Sequence, residues 1–209
     1  MSVDASIFIR RCALRVLLPC LLLSILALSP ARALDPKLQI SQYAHTVWNA
    51  RDGAFRGAIL SITQAPDGYL WLATGFGLLR FDGVRFVEWQ APKGNSLPKP
   101  PFWKVYASRD GSLWIGAEQG LARLRNGKVT NYPQMDGVAV MAIVEDREGT
   151  VWVGGSQSPN SQLCSIHGDE VHCSGGDGTF GNNIFSMYED PAGSLWVGAA
   201  PGVDRKSVV

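Results

Sequence analysis

The chain has 209 residues, with 19 basic and 18 acidic side chains, three histidines and a formal net charge of +1. No basic stripe is present, which argues against a nucleic-acid partner. Gly, Trp and β-branched residues are prominent and no segment keeps a helical period, so an all-β protein is expected.

Residues 1–33 read as a secretory signal. Arg10, Arg11 and Arg15 precede an apolar run over 16–28, and Ala31-Arg32-Ala33 fits a small-residue cleavage site. The run is 13 residues long, short of the ~20 that span a bilayer. Cys20 follows Pro19 inside the run, which does not fit a lipoprotein anchor. Without this segment the chain keeps 15 basic and 17 acidic residues, a net charge of −2. No second apolar stretch is long enough to cross a membrane, and the remaining ~175 residues suit one domain.

Residues 34–57 form a lead-in. Its alternating stretch 40–48 reads as an outer strand awaiting a partner, with His45 as a half-buried strand residue. From 58 onward a repeat dominates. Trp71, Trp114, Trp152 and Trp196 are 43, 38 and 44 residues apart, each with a Gly three positions earlier: Gly68, Gly111, Gly149 and Gly193. A period near 40 with a strand-turn-strand signature suits four-stranded propeller blades.

Blade one spans 58–90, with strands 58–64, 69–74, 77–81 and 84–89 and an Asp82-Gly83 turn. Asp-Gly is suited to a tight hairpin because both residues tolerate positive φ. Blade two spans 102–132, with strands 103–108, 112–117, 120–125 and 128–132. Blade three spans 138–173, with strands 138–145, 150–154, 162–167 and 170–173 around a Gly168-Asp169 turn. Blade four, 183–209, has strands 183–189 and 194–199 and breaks off within 201–209 before any outer strand. The expected fold is therefore all-β: three complete four-stranded blades and a partial fourth, a fragment of a larger ring. The repeated Trp is expected to wedge between blades, since so large an aromatic buries ~200 Å².

The runs 67–80 (DGYLWLATGFGLLR) and 110–123 (DGSLWIGAEQGLAR) resemble the two-component regulator propeller repeat. The resemblance extends over about residues 38–204. Blade three departs by a longer middle loop, and blade four has Pro201-Gly-Val-Asp in place of Gly-Leu-x-Arg. The resemblance implies the periplasmic, ligand-sensing part of a membrane receptor. In that family a membrane helix and a histidine kinase, a diguanylate cyclase or another output domain follow, and many members are thought to sense carbohydrates. The partners it implies are a small-molecule or oligosaccharide ligand, the rest of the receptor (further blades, membrane helix, kinase) and a second copy in a homodimeric receptor. No cofactor, metal or catalytic residue is expected.

The alternatives are a propeller enzyme, of the streptogramin-lyase or glycosidase type, and a free-standing protein-binding scaffold. Lyase chemistry needs a His with an acidic partner, but His167 and His172 flank a hairpin turn. Asp67, Asp110, Asp146 and Asp190 sit at the turn before each Trp, where Asp caps its own backbone. The 174–181 run resembles a calcium-binding glycine repeat but occurs once, and reads as a loop.

Across the Gly168-Asp169 turn, Cys164 falls opposite Cys173 as a non-hydrogen-bonded pair, where side chains approach closely. A disulfide is expected there in an oxidising compartment. The dissimilar loops 91–101, 133–137, 155–161 and 174–182 share one face of the propeller, and such loops are where binding resides. Candidate ligand contacts on that face are Arg56, Phe76, Trp103, Gln119, Gln157 and Asn182.

Overall fold

The computed structural model of the chain describes residue 39 and residues 46–157, 159–200 and 202–207. The expected signal segment and most of the expected lead-in strand, with His45, lie outside the described residues. Residues 46–49 carry no strand. Instead, the Trp48 ring packs edge-on against Phe81 and Phe86, at 4.9 and 6.0 Å between centroids.

Four small antiparallel sheets follow one another as propeller blades, each ordered as in sequence. The first holds β1 (Ile59–Gln64), β2 (Leu70–Thr74), β3 (Leu78–Phe81) and β4 (Phe86–Trp89). The second holds β5 (Phe102–Ala107), β6 (Leu113–Ala117), β7 (Gly120–Arg125) and β8 (Lys128–Asn131). The third holds β9 (Ala139–Glu145), β10 (Val151–Ser156), β11 (Ser161–His167) and β12 (Glu170–Gly175). The fourth holds β13 (Asn183–Glu189), β14 (Ser194–Ala200) and β15 (Gly202–Ser207). The third strand of blade four was not expected. It pairs with β14 from Ala199↔Gly202 to Ser194↔Ser207.

The inner strands β1, β5, β9 and β13 are successive neighbours, and the core lies between blades. Trp71 joins Phe102, Val105 and Ile115 of blade two, and Trp114 joins Val138, Val140 and Val153 of blade three. Trp152 packs against the cluster containing Ile184, Leu195 and Val197 of blade four. These three Trp side chains thus face the following blade. Trp71 and Trp114 are 6% and 2% exposed, whereas Trp196, at the end of the series, is 37% exposed.

Two residues after Trp71, Trp114 and Trp152 the side chain is small, and after Trp114 and Trp152 the next inner strand crosses there. A Cβ on Gly116 would stand 2.6 Å from Val140 Cγ1 and 2.7 Å from its carbonyl oxygen. One on Gly154 would stand 2.6 Å from Ile184 Cγ2. Blade one has the fully buried Ala73 at this position.

The seams are also fastened by polar contacts, of two kinds. Arg109 of blade two pairs with Glu145 of blade three at 3.4 Å and donates to the carbonyls of Asp146 and Arg147. Arg147 repeats this on blade four, pairing with Glu189 at 2.7 Å and donating to the carbonyls of Asp190 and Pro191. Blades one and two have Pro66 and Ala107 at the matching positions. Hydroxyls join that seam instead: Val105 N donates to Ser61 Oγ and Ala107 N to Thr63 Oγ1, both at 3.2 Å.

In the outer hairpin of blade three, Cys164 is bonded to Cys173, and their Cα atoms are 4.0 Å apart. The pairing register runs through Cys164↔Cys173 to His167↔Glu170.

Two stability outcomes follow. Trp114→Ala should cost about 3–5 kcal/mol in denaturant unfolding, and Trp196→Ala under about 2, because solvent already meets that ring. Equal costs would contradict the seam model. Reducing the Cys164–Cys173 bond should lower stability by about 2–3 kcal/mol, the loop-closure value for a ten-residue loop. A thermal melt unchanged by reductant would contradict this.

Candidate ligand-binding face

Antiparallel strands place the turns after the first and third strands of each blade on one face. The turns after the second strands, and the links between blades, lie on the other. This second face carries the irregular loops, which backbone hydrogen bonds tie together. Glu118 N donates to Pro101 O, Gly120 N to Val138 O, Ser161 N to Gly181 O and Asn182 N to Ala200 O, at 2.9–3.2 Å. Asn95 Oδ1 accepts from Val129 N at 2.8 Å, and Asn131 Nδ2 donates to Ser96 O at 3.0 Å, which fastens the 91–101 link to β8.

The structure brings two of the six candidates together. Arg56 and Phe76 line one cavity of about 310 Å³, with Phe55, Thr74, Phe86 and Glu88 among its other walls. Thr74 sets the geometry. Its Oγ1 accepts from Phe76 N and Gly77 N at 3.1 and 3.0 Å and donates to Gly77 O at 2.8 Å, closing a three-residue turn. The turn thrusts Phe76 outward, and its ring is 68% exposed. The inner edge of the ring lies on Gly57, where a Cβ would be 2.6 Å from Phe76 Cδ2 and φ is +73°. An exposed aromatic face flanked by a guanidinium and a carboxylate can stack on an apolar ring face and hydrogen-bond to polar groups at its edge.

The other four candidates lie on the same face but in their own blades. Trp103 is on β5, its indole donating to Glu118 Oε2 at 2.6 Å. Gln119 is the neighbour of Glu118 in the β6–β7 turn and is exposed. Gln157 follows β10, with its Nε2 3.9 Å from where a Gly137 Cβ would stand. Asn182 precedes β13 and is exposed. None of these four lines the cavity of Arg56 and Phe76.

Sequence reasoning missed Thr74 and Glu88 as cavity walls, although the alternation of β4 (F-V-E-W) offers a signal for Glu88. It also missed a bulge that recurs in every blade. The pairing of the first two strands slips once at Leu60, Trp103, Met141 and Phe185. Such bulges re-aim side chains, and Trp103 is one of the re-aimed residues. No group of His, Cys, Asp or Glu suited to a metal ion occurs among the described residues.

Four blades of this kind, with irregular loops gathered on one face, define a repeat β-propeller. The two component regulator propeller model matches residues 134–157 and 178–200, and the chain carries repeats of that family. Both matches run from a loop of the irregular face through the first two strands of blades three and four, although the quoted motif is fullest in blades one and two. Comparison with curated proteins finds no match.

Several solved structures share the fold. The extracellular domain of a hybrid two component system from B. thetaiotaomicron superposes with a TM-score of 0.59 at 22% identity, over 72% of this chain and 20% of that one. Streptogramin B lyase gives 0.55 at 15%, over 72% and 54%. An ancestral GH74 enzyme gives 0.58 at 12%, over 72% and 23%. At these identities the likeness establishes the fold alone, and the chain spans only part of each of these proteins.

Gly57→Ala should displace Phe76 and strain the backbone at positive φ, lowering stability by about 1 kcal/mol. A crystal structure of the variant with Phe76 unmoved and a wild-type melting temperature would contradict this account.

Proposed function

We propose that the chain is the ligand-sensing propeller segment of an extracytoplasmic two-component receptor, and that its ligand binds on the irregular loop face. The observation that carries this reading is the match of blades three and four to two component regulator propeller repeats. Two features support the location: the signal-like segment 1–33, and the Cys164–Cys173 bond, which suits an oxidising compartment. The remaining blades, a membrane helix and an output kinase or cyclase belong to the rest of that receptor. The receptor works as a homodimer.

The cavity between Arg56, Phe76 and Glu88 is the entry point for the ligand. Its aromatic platform and paired hydrogen-bonding groups suit an oligosaccharide, and Trp103, Gln119, Gln157 and Asn182 extend the contact along the rim.

The lyase form of the enzymatic alternative requires a histidine and an acid directed at a substrate. Among the described residues, His167 Nδ1 is 3.3 Å from Thr150 Oγ1, and exposed His172 is 3.9 Å from Glu170. Both histidines lie on the outer hairpin of blade three, away from the loop face.

The test is calorimetric titration of the chain with a panel of oligosaccharides. A binder should lose about tenfold or more in affinity in Arg56→Ala and Phe76→Ala, as expected when a stacked or charge-assisted contact of ~1.4 kcal/mol is removed. Unchanged affinity in both variants, or release of cleaved product, would overturn the sensing proposal.

A further inference from the structure

On the opposite face, blades three and four solve one local problem that blade two leaves open. In blades three and four an Asp three residues before the repeated Gly accepts from the Trp indole. Trp152 Nε1 donates to Asp146 Oδ2, and Trp196 Nε1 to Asp190 Oδ2, both at 2.8 Å. The second oxygen of each Asp caps the turn, accepting from Thr150 N in one blade and from Ser194 N in the other. Blade two has Ser108 at this position. The cap there passes to Asp110, which accepts from Ser112 N at 2.8 Å. No group among the described residues replaces the acceptor for the indole. Trp114 Nε1 and Ser108 Oγ are both buried and both lack a hydrogen-bond partner, and each residue is 2% exposed. A buried polar group left unpaired costs about 1–3 kcal/mol.

Both residues line a cavity of about 220 Å³ between blades two and three, whose walls also include Asp110, Arg123, Arg125 and Glu145. The charges around it are unequal. Asp110 is 2.8 Å from Arg123 and 3.4 Å from Arg125, while Glu145 is held by Arg109. Two guanidinium groups, Arg123 and Arg125, thus share the wall with two carboxylates, Asp110 and Glu145, and Glu145 is neutralised from outside the cavity by Arg109. Burial pushes the Asp110 carboxyl up, but the Ser112 hydrogen bonds and the two arginines outweigh it and hold its pKa below the ordinary value. It therefore stays ionised and occupied with its own partners.

We propose that this cavity is a binding site for a small organic carboxylate, which supplies the acceptor that Asp146 and Asp190 supply in blades three and four. One carboxylate oxygen accepts from Trp114 Nε1 and Ser108 Oγ, and the cation nearest to hand is Arg125, half-exposed at the cavity wall and holding Asp110 at the longer of the two arginine distances, 3.4 Å. The site is independent of the loop-face cavity and lies on the other side of the blades.

The experiment is an NMR titration of the ¹⁵N-labelled chain with sodium acetate and sodium formate, against sodium chloride at equal ionic strength. The Trp114 indole N–H is identified by its loss in Trp114→Phe. Acetate or formate should shift this resonance downfield and saturably, and at tenfold excess over the dissociation constant raise the melting temperature by about 3–6 °C. Ser108→Asp carries its own carboxylate into the slot, so it should show the shifted indole resonance without ligand and lose the response to acetate. Should that variant not fold, Ser108→Ala keeps the cavity and should weaken the acetate response several-fold. An equal response to acetate and chloride, an indole resonance that acetate leaves in place, or full acetate response in Ser108→Ala would overturn the proposal. A water molecule alone in the slot would then account for it.

Discussion

The distance at which one inner strand can cross the preceding blade controls this structure. Gly116 and Gly154 leave no room for a methyl group against Val140 and Ile184. The small residue lets the neighbouring backbone come close enough for the Trp two positions earlier to be covered. Hydrophobic burial then sits almost entirely in the seams, and a blade by itself has little core. The tryptophan and the glycine are one device, because the large ring fills the wedge that the missing side chain allows to close.

This coupling also explains why the loop face is free to vary. The strands are held from the seams and from the turns of the opposite face, where Asp caps recur. The second-to-third-strand turns and the blade links carry no such duty, so they take different lengths and residues in each blade. Thr74 shows how local the constraint becomes: one hydroxyl closes a turn and sets an aromatic ring into solvent.

Much of the architecture was legible because it repeats. The Trp spacing located the blades, and the Gly168-Asp169 turn placed Cys164 opposite Cys173 by simple alternation. What escaped detection depends on partners distant in sequence or on breaks in alternation. The bulges at Leu60, Trp103, Met141 and Phe185 have no residue signature, since four different side chains occupy one structural position. Strand β15 carries no repeat signature, because Pro201-Gly-Val-Asp stands where the repeat has Gly-Leu-x-Arg, yet its backbone still pairs with β14. Of the candidate contacts, Arg56 and Phe76 meet only because Gly57 admits the ring. Ser108 looks unremarkable in a turn until the aspartates of the later blades are set beside it.

The two kinds of seam fastening give the blades unequal responses to the medium. The arginine clasps between blades two, three and four are partly exposed ion pairs, and dissolved salt screens such pairs. The hydroxyl-to-backbone bonds between blades one and two carry no net charge and are indifferent to it. A change in ionic strength therefore alters the stiffness of one half of the array relative to the other, without touching its hydrophobic seams.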